Sequence, residues 1–165
     1  MLEHVLYFLD AKNLNSARIL LYILYKKSNA GSFRQNEMLT FFRENGLELQ
    51  SHNIKENFNQ NVLKLKEHKV FLKKESHYQE LFEFIEYNNG IFEYKINDDI
   101  IVPKKMDAYM DILNLNSIFS IRLYEYLIGS LSGEEAVFTS NHEKSINLSL
   151  QQFRFFAGLD TYHES

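Results

Sequence analysis

The sequence predicts an α+β fold in which helices predominate. Breakers of regular structure are few, since the 165 residues include one proline and six glycines, and this favours long helices over tight loops. Hydrophobic residues make up 45% of the chain, enough for one domain and part of a second to bury a core. In the middle of the chain the periodicity changes to alternation around an Asn-Gly pair, which is a strong signal of a β-hairpin.

Two helices are predicted near the N-terminus. Residues 14–27 are apolar almost all round, as is typical of a central helix, and Asn15 or Ser16 is expected to cap this helix. Residues 28–32 are expected to form a turn, because they combine serine, asparagine and glycine. Residues 35–44 then form a second, shorter helix that offers apolar side chains to the core.

A third helix is predicted over residues 52–68, with Ser51 as its cap. Its apolar side chains recur at spacings of four, four and three residues, which places them on one face. The opposite face is polar and poor in acids. The apolar stripe consists of Ile54, Phe58, Val62 and Leu65, and the polar face of Asn53, Lys55, Asn57, Gln60, Asn61 and Lys64.

The periodicity changes after the third helix. Residues 70–75 predict one strand, and residues 81–87 and 91–96 predict two more. The run Asn88, Asn89, Gly90 joins the last two strands as a hairpin. The predicted order matches that of a winged helix-turn-helix domain. It consists of two short helices, the second with a polar face, followed by a hairpin.

The C-terminal third repeats the beginning of this pattern. Its predicted elements are a helical stretch within 97–115, a helix over 117–129, a polar loop over 130–145, a short strand over 146–148 and a last helix capped by Ser149. The expected organisation is therefore a first winged-helix domain over residues 1–115 and the N-terminal part of a second over residues 116–165. The second domain would lack its recognition helix and wing.

The polar face of the third helix is the first candidate for function. Main-chain amides at a helix N-terminus contact phosphates, asparagine and glutamine side chains read adenine edges, and lysines neutralise phosphates. Lys73 and Lys74 are expected near the first strand of the wing. Composition alone slightly favours a solvated face and a lysine-protected edge strand, whereas the helix-turn-helix order favours DNA. The candidate DNA-binding residues are Ser51, His52, Asn53, Lys55, Asn57, Gln60, Lys64, Lys73 and Lys74.

Catalytic and metal-binding chemistry finds no support in the sequence. The chain has no cysteine, which excludes disulfides, cysteine zinc sites, iron–sulfur clusters and thiol nucleophiles. The six histidines have no metal-ligand spacing, and phosphate-binding, dinucleotide-binding and serine-hydrolase motifs are missing from the sequence. We therefore expect a protein that is not an enzyme and has no catalytic residues, metal or cofactor.

Charge is distributed unevenly along the chain. The formal net charge of −4 divides into +2 for residues 1–33, +3 for residues 34–74 and −9 for residues 75–165. Exposed charges further apart than about 10 Å are largely screened, so the basic middle segment can bind DNA despite the acidic total. The longest apolar run, residues 19–25, is too short to cross a membrane, and the N-terminus is a poor signal peptide. We expect a soluble cytoplasmic protein with no membrane partner.

One segment resembles the signature of a known family of DNA-binding proteins. The sequence IFSIRLYEYL at residues 118–127 is similar to the Tyr-Ser-x-Arg-Leu-Tyr-Glu-Leu-Leu signature of iteron-binding plasmid replication initiators. Residues 62–73, 82–100 and 148–159 resemble the helix before the first wing strand, the hairpin region and a second-domain helix of that family. The matching signature residues are Ser120, Arg122, Leu123, Tyr124 and Glu125.

The resemblance implies two tandem winged helices and a role in starting plasmid DNA replication. In this family the first domain supports dimerisation and contacts the DNA backbone, while the second reads directly repeated origin sites. The implied partners are double-stranded DNA with such repeats, a second copy of the chain in a homodimer, and host replication proteins. The family has no catalytic residues, and its second recognition helix and wing have no counterpart here.

Two other functions stay open on the sequence. The chain could be an ordinary winged-helix transcription regulator, which would use the same helix-turn-helix chemistry on a different DNA site. It could also be a dimerisation or protein-interaction module whose aromatic-rich surface docks a partner and contacts DNA weakly. Binding to duplex DNA separates the last of these from the other two.

Overall fold

Helices and two three-stranded antiparallel sheets make up the computed structural model, so the chain has an α+β fold. The structure describes residues 5–47, 51–103, 106–132, 137–138, 144–145, 147–157 and 159. For residues 51–58, 130–132, 137–138 and 144–145 it describes the main chain alone. No helix of this described part is long and apolar enough to cross a membrane.

The elements alternate between helices and short strands. In chain order they are β1 (Val5–Leu6), α1 (Leu14–Tyr25), β2 (Ala30–Arg34), α2 (Gln35–Glu44), α3 (Ser51–Lys66), β3 (Lys69–Leu72), β4 (His77–Glu80), β5 (Phe82–Asn88), β6 (Ile91–Ile96), a 3₁₀ helix (Asp107–Asn114), α4 (Ile118–Ser132), β7 (Val137–Phe138), β8 (Lys144–Ser145) and α5 (Leu150–Phe156).

The cap of α1 lies two or three residues earlier in the chain than the sequence suggested. Asn13 has extended backbone angles, and its side chain accepts a hydrogen bond from the Ser16 amide at 2.8 Å. The Ser16 side chain bonds back to the main chain of Asn13, which completes a capping box. The prediction that Asn15 or Ser16 is the cap was therefore wrong, because both residues already lie inside the helix.

The first sheet has the strand order β2-β6-β5 and contains the predicted hairpin. Asn89 and Gly90 form its two-residue turn with φ angles of 51° and 84°, as expected for an Asn-Gly turn. Strand β2 was missed, because residues 28–32 have turn-like composition. Its pairing with β6 and the stacking of Phe33 on Phe92, with ring centroids 4.8 Å apart, override that local preference.

The second sheet has the strand order β1-β3-β4, and its strands β1 and β3 bury side chains on both faces, while the edge strand β4 is mostly exposed. Val5 and Val70 point into the main core, whereas Leu6 and Phe71 point into a smaller cluster on the opposite face. The alternation of side chains along a strand accounts for this division. The strand predicted over 70–75 ends at Leu72 and pairs in this sheet, not with the Asn-Gly hairpin.

The main core surrounds α1 and one face of each sheet. On α3, Val62 and Leu65 are buried as predicted, while the side chains of Ile54 and Phe58 lie outside the described part. Asn61 was expected on the polar face, and this was wrong. It is only 3% exposed, and its Oδ1 accepts a hydrogen bond from Asn13 Nδ2 at 3.2 Å.

The C-terminal elements pack on the other face of the second sheet. Tyr126 of α4 stacks on Phe156 of α5 with ring centroids 3.9 Å apart, and Phe155 contacts Phe71 edge-on. The predicted helix over 117–129 continues to Ser132, so its expected end was too early. Ser149 caps α5 through a capping box with Gln152, as predicted.

The segment between α4 and α5 was predicted as a loop and a strand. The expected strand over 146–148 was wrong at Asn147 and Leu148, which are irregular. A two-residue ladder joins β7 to β8 instead. Much of the expected loop over 130–145 lies outside the described residues.

Candidate nucleic-acid interface

The outward face of α3 carries the polar side chains that the sequence singled out. Gln60 and Lys64 are exposed and lie one helical turn apart, while Val62 and Leu65 anchor the opposite face in the core. Leu63 is 58% exposed on the same outward side. The main chain of Ser51, His52, Asn53, Lys55 and Asn57 forms the first half of α3, but their side chains lie outside the described part of the structure.

Lys73 and Lys74 lie in the turn between β3 and β4. They directly follow β3, which pairs in the β1–β3–β4 sheet and not with the Asn-Gly hairpin. Lys74 is exposed. Lys73 is half-buried, and its Nζ lies 5.2 Å from the centre of the Tyr126 ring, within cation–π range. Only Lys74 of this pair is therefore fully presented to solvent.

The two hairpins differ in charge. The β5–β6 hairpin exposes Glu86 and Glu93, which lie directly opposite each other on adjacent strands, where like charges repel. On the same hairpin, Glu83 forms a 3.0 Å ion pair with Lys95. The end of α3 and the β3–β4 hairpin instead expose several lysines, namely Lys64, Lys66, Lys69 and Lys74.

Two of these lysines were missed by the sequence analysis. Lys66 ends α3 and Lys69 begins β3, and both are exposed. Their shared location at a helix–strand junction depends on the turn at residues 67–68, which joins the end of α3 to the start of β3. A count of basic residues over 62–74 would have shown this cluster. The same segments also expose Glu67, Glu75 and Glu80, and Glu80 lies directly opposite Lys69.

The family-signature residues hold α4 against the first strand region. The Arg122 guanidinium donates to the Ala11 carbonyl. The Tyr124 hydroxyl donates to Asp111 at 2.8 Å, and burial together with this carboxylate raises the pKa of Tyr124 to about 12. Ser120 and Leu123 are half-buried along the same helix. These contacts give the segment a structural role in joining α4 to residues near the N-terminus.

Glu125 is the signature residue whose position the sequence did not indicate. Apolar periodicity along α4 favours burial of Ile118, Ile121, Leu123, Tyr124, Leu127 and Ile128, but only Ile121 of this set is fully buried. Glu125 is 2% exposed instead. A glutamate on an apolar helix is normally assigned to the solvent side, so periodicity gave no signal for its burial.

The described residues contain no group of three or more histidine, aspartate or glutamate side chains that could hold a metal ion. The geometry around α3 and the β3–β4 hairpin is that of a polar and basic surface rather than a pocket for small-molecule chemistry. No family model and no curated protein matches the sequence. A functional assignment therefore depends on this surface and on the resemblance carried by residues 119–125.

Proposed function

We propose that the chain is a double-stranded DNA-binding protein of the plasmid replication-initiator kind, built on a winged helix-turn-helix. The arrangement of α1, β2, α2 and α3 followed by the β5–β6 hairpin supports this, because β2 joins that hairpin in one sheet. This order of elements is the one in which winged helices present a recognition helix. The exposed face of α3 is the single observation that carries the proposal.

The α3 face has side chains suited to the edges of base pairs. Gln60 can bond an adenine in the major groove, Lys64 can bond guanine or phosphate, and Leu63 between them can contact a thymine methyl group. Such a contact with a thymine methyl group would account for the exposure of Leu63 on an otherwise polar helix face. These three residues therefore give the proposed interface both charge and a means of reading sequence.

The lysines at the end of α3 and in the β3–β4 hairpin supply the phosphate contacts in this proposal. The β5–β6 hairpin is a poorer candidate, because Glu86 and Glu93 would face the like charge of the DNA backbone. We therefore assign backbone contacts to Lys64, Lys66, Lys69 and Lys74, and not to the Asn-Gly hairpin. Binding to directly repeated origin sites, dimerisation and contact with host replication proteins follow from the family resemblance.

A second candidate function is a protein-interaction or dimerisation module. Phe84 and Ile91 lie on the outward face of the β5–β6 hairpin and are 44% and 41% exposed. Exposed apolar side chains on a sheet face are typical of a surface that meets another protein. A winged-helix transcription regulator would share the α3 surface and differ only in the DNA site it reads.

A salt series of DNA binding tests the proposal. Fluorescence anisotropy with labelled duplex DNA, between about 50 and 200 mM salt, should show log K falling linearly with log salt, at a slope near −0.9 for each phosphate contacted. The Lys64→Ala and Lys74→Ala variants should each reduce that slope by about one phosphate contact. Lys95→Ala is the matched control, because Lys95 is already paired with Glu83 on the other hairpin.

The alternatives give different results in the same experiment. If duplex DNA does not bind at the lowest salt, and light scattering shows a stable dimer, the interaction module is supported and the DNA-binding proposal fails. If DNA binds but Lys64→Ala and Lys74→Ala leave the slope unchanged, DNA binding stands and the assigned face is wrong. Preference for a duplex with direct repeats over one with a single site separates an initiator from a simple regulator.

A further inference from the structure

The main chain at Tyr7 is the point where β1, α3–β3 and α4 meet. Glu125 Oε2 accepts a hydrogen bond from the Tyr7 amide at 2.8 Å, and Oε1 accepts one from the Phe8 amide at 2.9 Å. On the other side of the same residue, His68 Nε2 donates to the Tyr7 carbonyl at 2.6 Å. Ladder pairing of β1 ends at Leu6. Beyond the end of the ladder, the side chains of Glu125 and His68 therefore supply the hydrogen bonds to the main chain of Tyr7 and Phe8.

Both of these side chains are removed from water. Glu125 and His68 are each 2% exposed. Burial raises the pKa of Glu125 to about 8 and outweighs the opposing hydrogen bonds from Phe8, Tyr7 and Tyr109. Burial also lowers the pKa of His68, against the effect of its bond to the Tyr7 carbonyl. The neutral form of each side chain is thus the one that the folded protein favours.

The groups around this site come from every element that packs on it. Residues 7–12 contribute the Tyr7 hydroxyl, which donates to the Ile101 carbonyl, and the ion pair of Asp10 with Lys12. The 3₁₀ helix contributes Tyr109, whose hydroxyl bonds Glu125. The titratable and charged neighbours are Tyr7, Asp10, Lys12, Tyr78, Tyr109 and Arg122.

We propose that Glu125 and His68 form a proton-controlled clasp on the Tyr7 peptide, which keeps α4 docked on the sheet and opens when either side chain becomes charged. The clasp joins residues far apart in the chain, since Glu125 and Tyr7 are 118 positions apart. Its opening would free α4, and α5 stacked on it, from the β1–β3–β4 sheet while the β2–β6–β5 sheet stays folded. The surface presented by the C-terminal segment would then depend on pH.

The direction of the pH effect follows from the two side chains. Glu125 ionises near pH 4.5 when the clasp is open and near pH 8 when it is closed. Its contribution to the free energy of closing the clasp is therefore lost as pH rises between these values. His68 ionises near pH 6.5 when the clasp is open and at a lower pH when it is closed. Its contribution to the free energy of closing the clasp is therefore lost as pH falls below 6.5. Between about pH 4.5 and 6.5 the two effects oppose each other.

Hydrogen exchange of the full chain, corrected for the intrinsic rate, tests the clasp. In the wild type, protection of the Tyr7 and Phe8 amides and of α4 should fall about tenfold between pH 6.5 and 8. Protection of the β5–β6 hairpin should change little. Glu125→Gln should lower the protection of residues 7–8 at every pH and abolish the fall, because the amide cannot ionise. His68→Gln should keep the fall and extend it below pH 6.5.

Glu86→Gln is the matched control, since Glu86 is an exposed glutamate on the other sheet. It should leave the wild-type pH response intact. The clasp is overturned if Glu125→Gln shows the same tenfold fall as the wild type, or if the β5–β6 hairpin loses protection in parallel with residues 7–8. The second result would mean that alkaline pH unfolds the whole chain rather than releasing α4.

Discussion

Polar side chains take structural positions inside this protein that their residue types do not reveal. Asn13 caps α1 and also donates to Asn61 of α3, so one side chain fixes a helix start and the contact between two helices. Glu125 bonds two successive amides in the interior. Sequence patterns identify a cap or a polar face, but they do not distinguish a polar residue that meets solvent from one that meets a distant main chain. The packing of α4 and α3 decides this.

The Asn13→Ala variant tests the double role of this residue. The free energy of unfolding should fall by about 1–2 kcal/mol, because the variant loses the cap and leaves the buried Asn61 amide without its Asn13 partner. Urea denaturation followed by circular dichroism measures the change. Asn59→Ala is the control, because Asn59 is an exposed residue on α3, and its change should stay within about 0.5 kcal/mol. Equal losses in the two variants would contradict the assigned role.

Local signals predicted the elements whose stabilising contacts are also local. The β5–β6 hairpin follows from alternation and an Asn-Gly turn, and α2 and α5 follow from periodicity and caps. Strands β1 and β2 were missed because they are short and pair with strands distant in sequence, whereas β4 was missed because its four residues, His77–Glu80, are mostly polar. For the candidate interface, the polar face of α3 was predictable, whereas the separation of Lys73 and Lys74 from the Asn-Gly hairpin depends on strand pairing.

Replacing the turn glycine tests the contribution of backbone conformation to the hairpin. Gly90 has a φ of +84° with no atom near the position of a Cβ, so Gly90→Ala adds conformational strain without a clash. We expect a loss of about 1–2 kcal/mol in unfolding free energy, measured by urea denaturation. Gly31→Ala is the control. Its new Cβ would lie 3.4 Å from the Tyr94 hydroxyl at an ordinary φ, and stability should change by about 0.5 kcal/mol or less.

The molecule has two cores that share one sheet. The β1–β3–β4 sheet contributes Val70 to the main core and Phe71 to the cluster formed with Tyr126. At pH 6.5, where the proposed clasp is closed, denaturation of either core disrupts the shared sheet, so the two cores should unfold together in urea. No boundary between residues 115 and 116 is needed to explain this packing, and the domain division stays a prediction from the repeated element order.

Removing the ring at the centre of the smaller core tests this coupling. Tyr126→Ala should lower the free energy of unfolding by about 3 kcal/mol, because the buried ring loses its stacking on Phe156 and leaves a cavity. Far-ultraviolet circular dichroism and tyrosine fluorescence should still report a single, coincident transition. Tyr78→Ala, on the edge strand β4 beside Phe71, should cost clearly less, because Tyr78 is already 38% exposed. Separated transitions in Tyr126→Ala would show that the cores are independent.

The position of β1 has a consequence for the order in which the chain folds. Residues 5–8 leave the ribosome before the main-chain and side-chain partners that bond their main chain at residues 68–72 and 125. Contacts between such distant residues form late, because closing a long loop costs entropy before the contact stabilises it. The beginning of the chain must therefore wait, with its apolar side chains unpaired, until synthesis has passed α4.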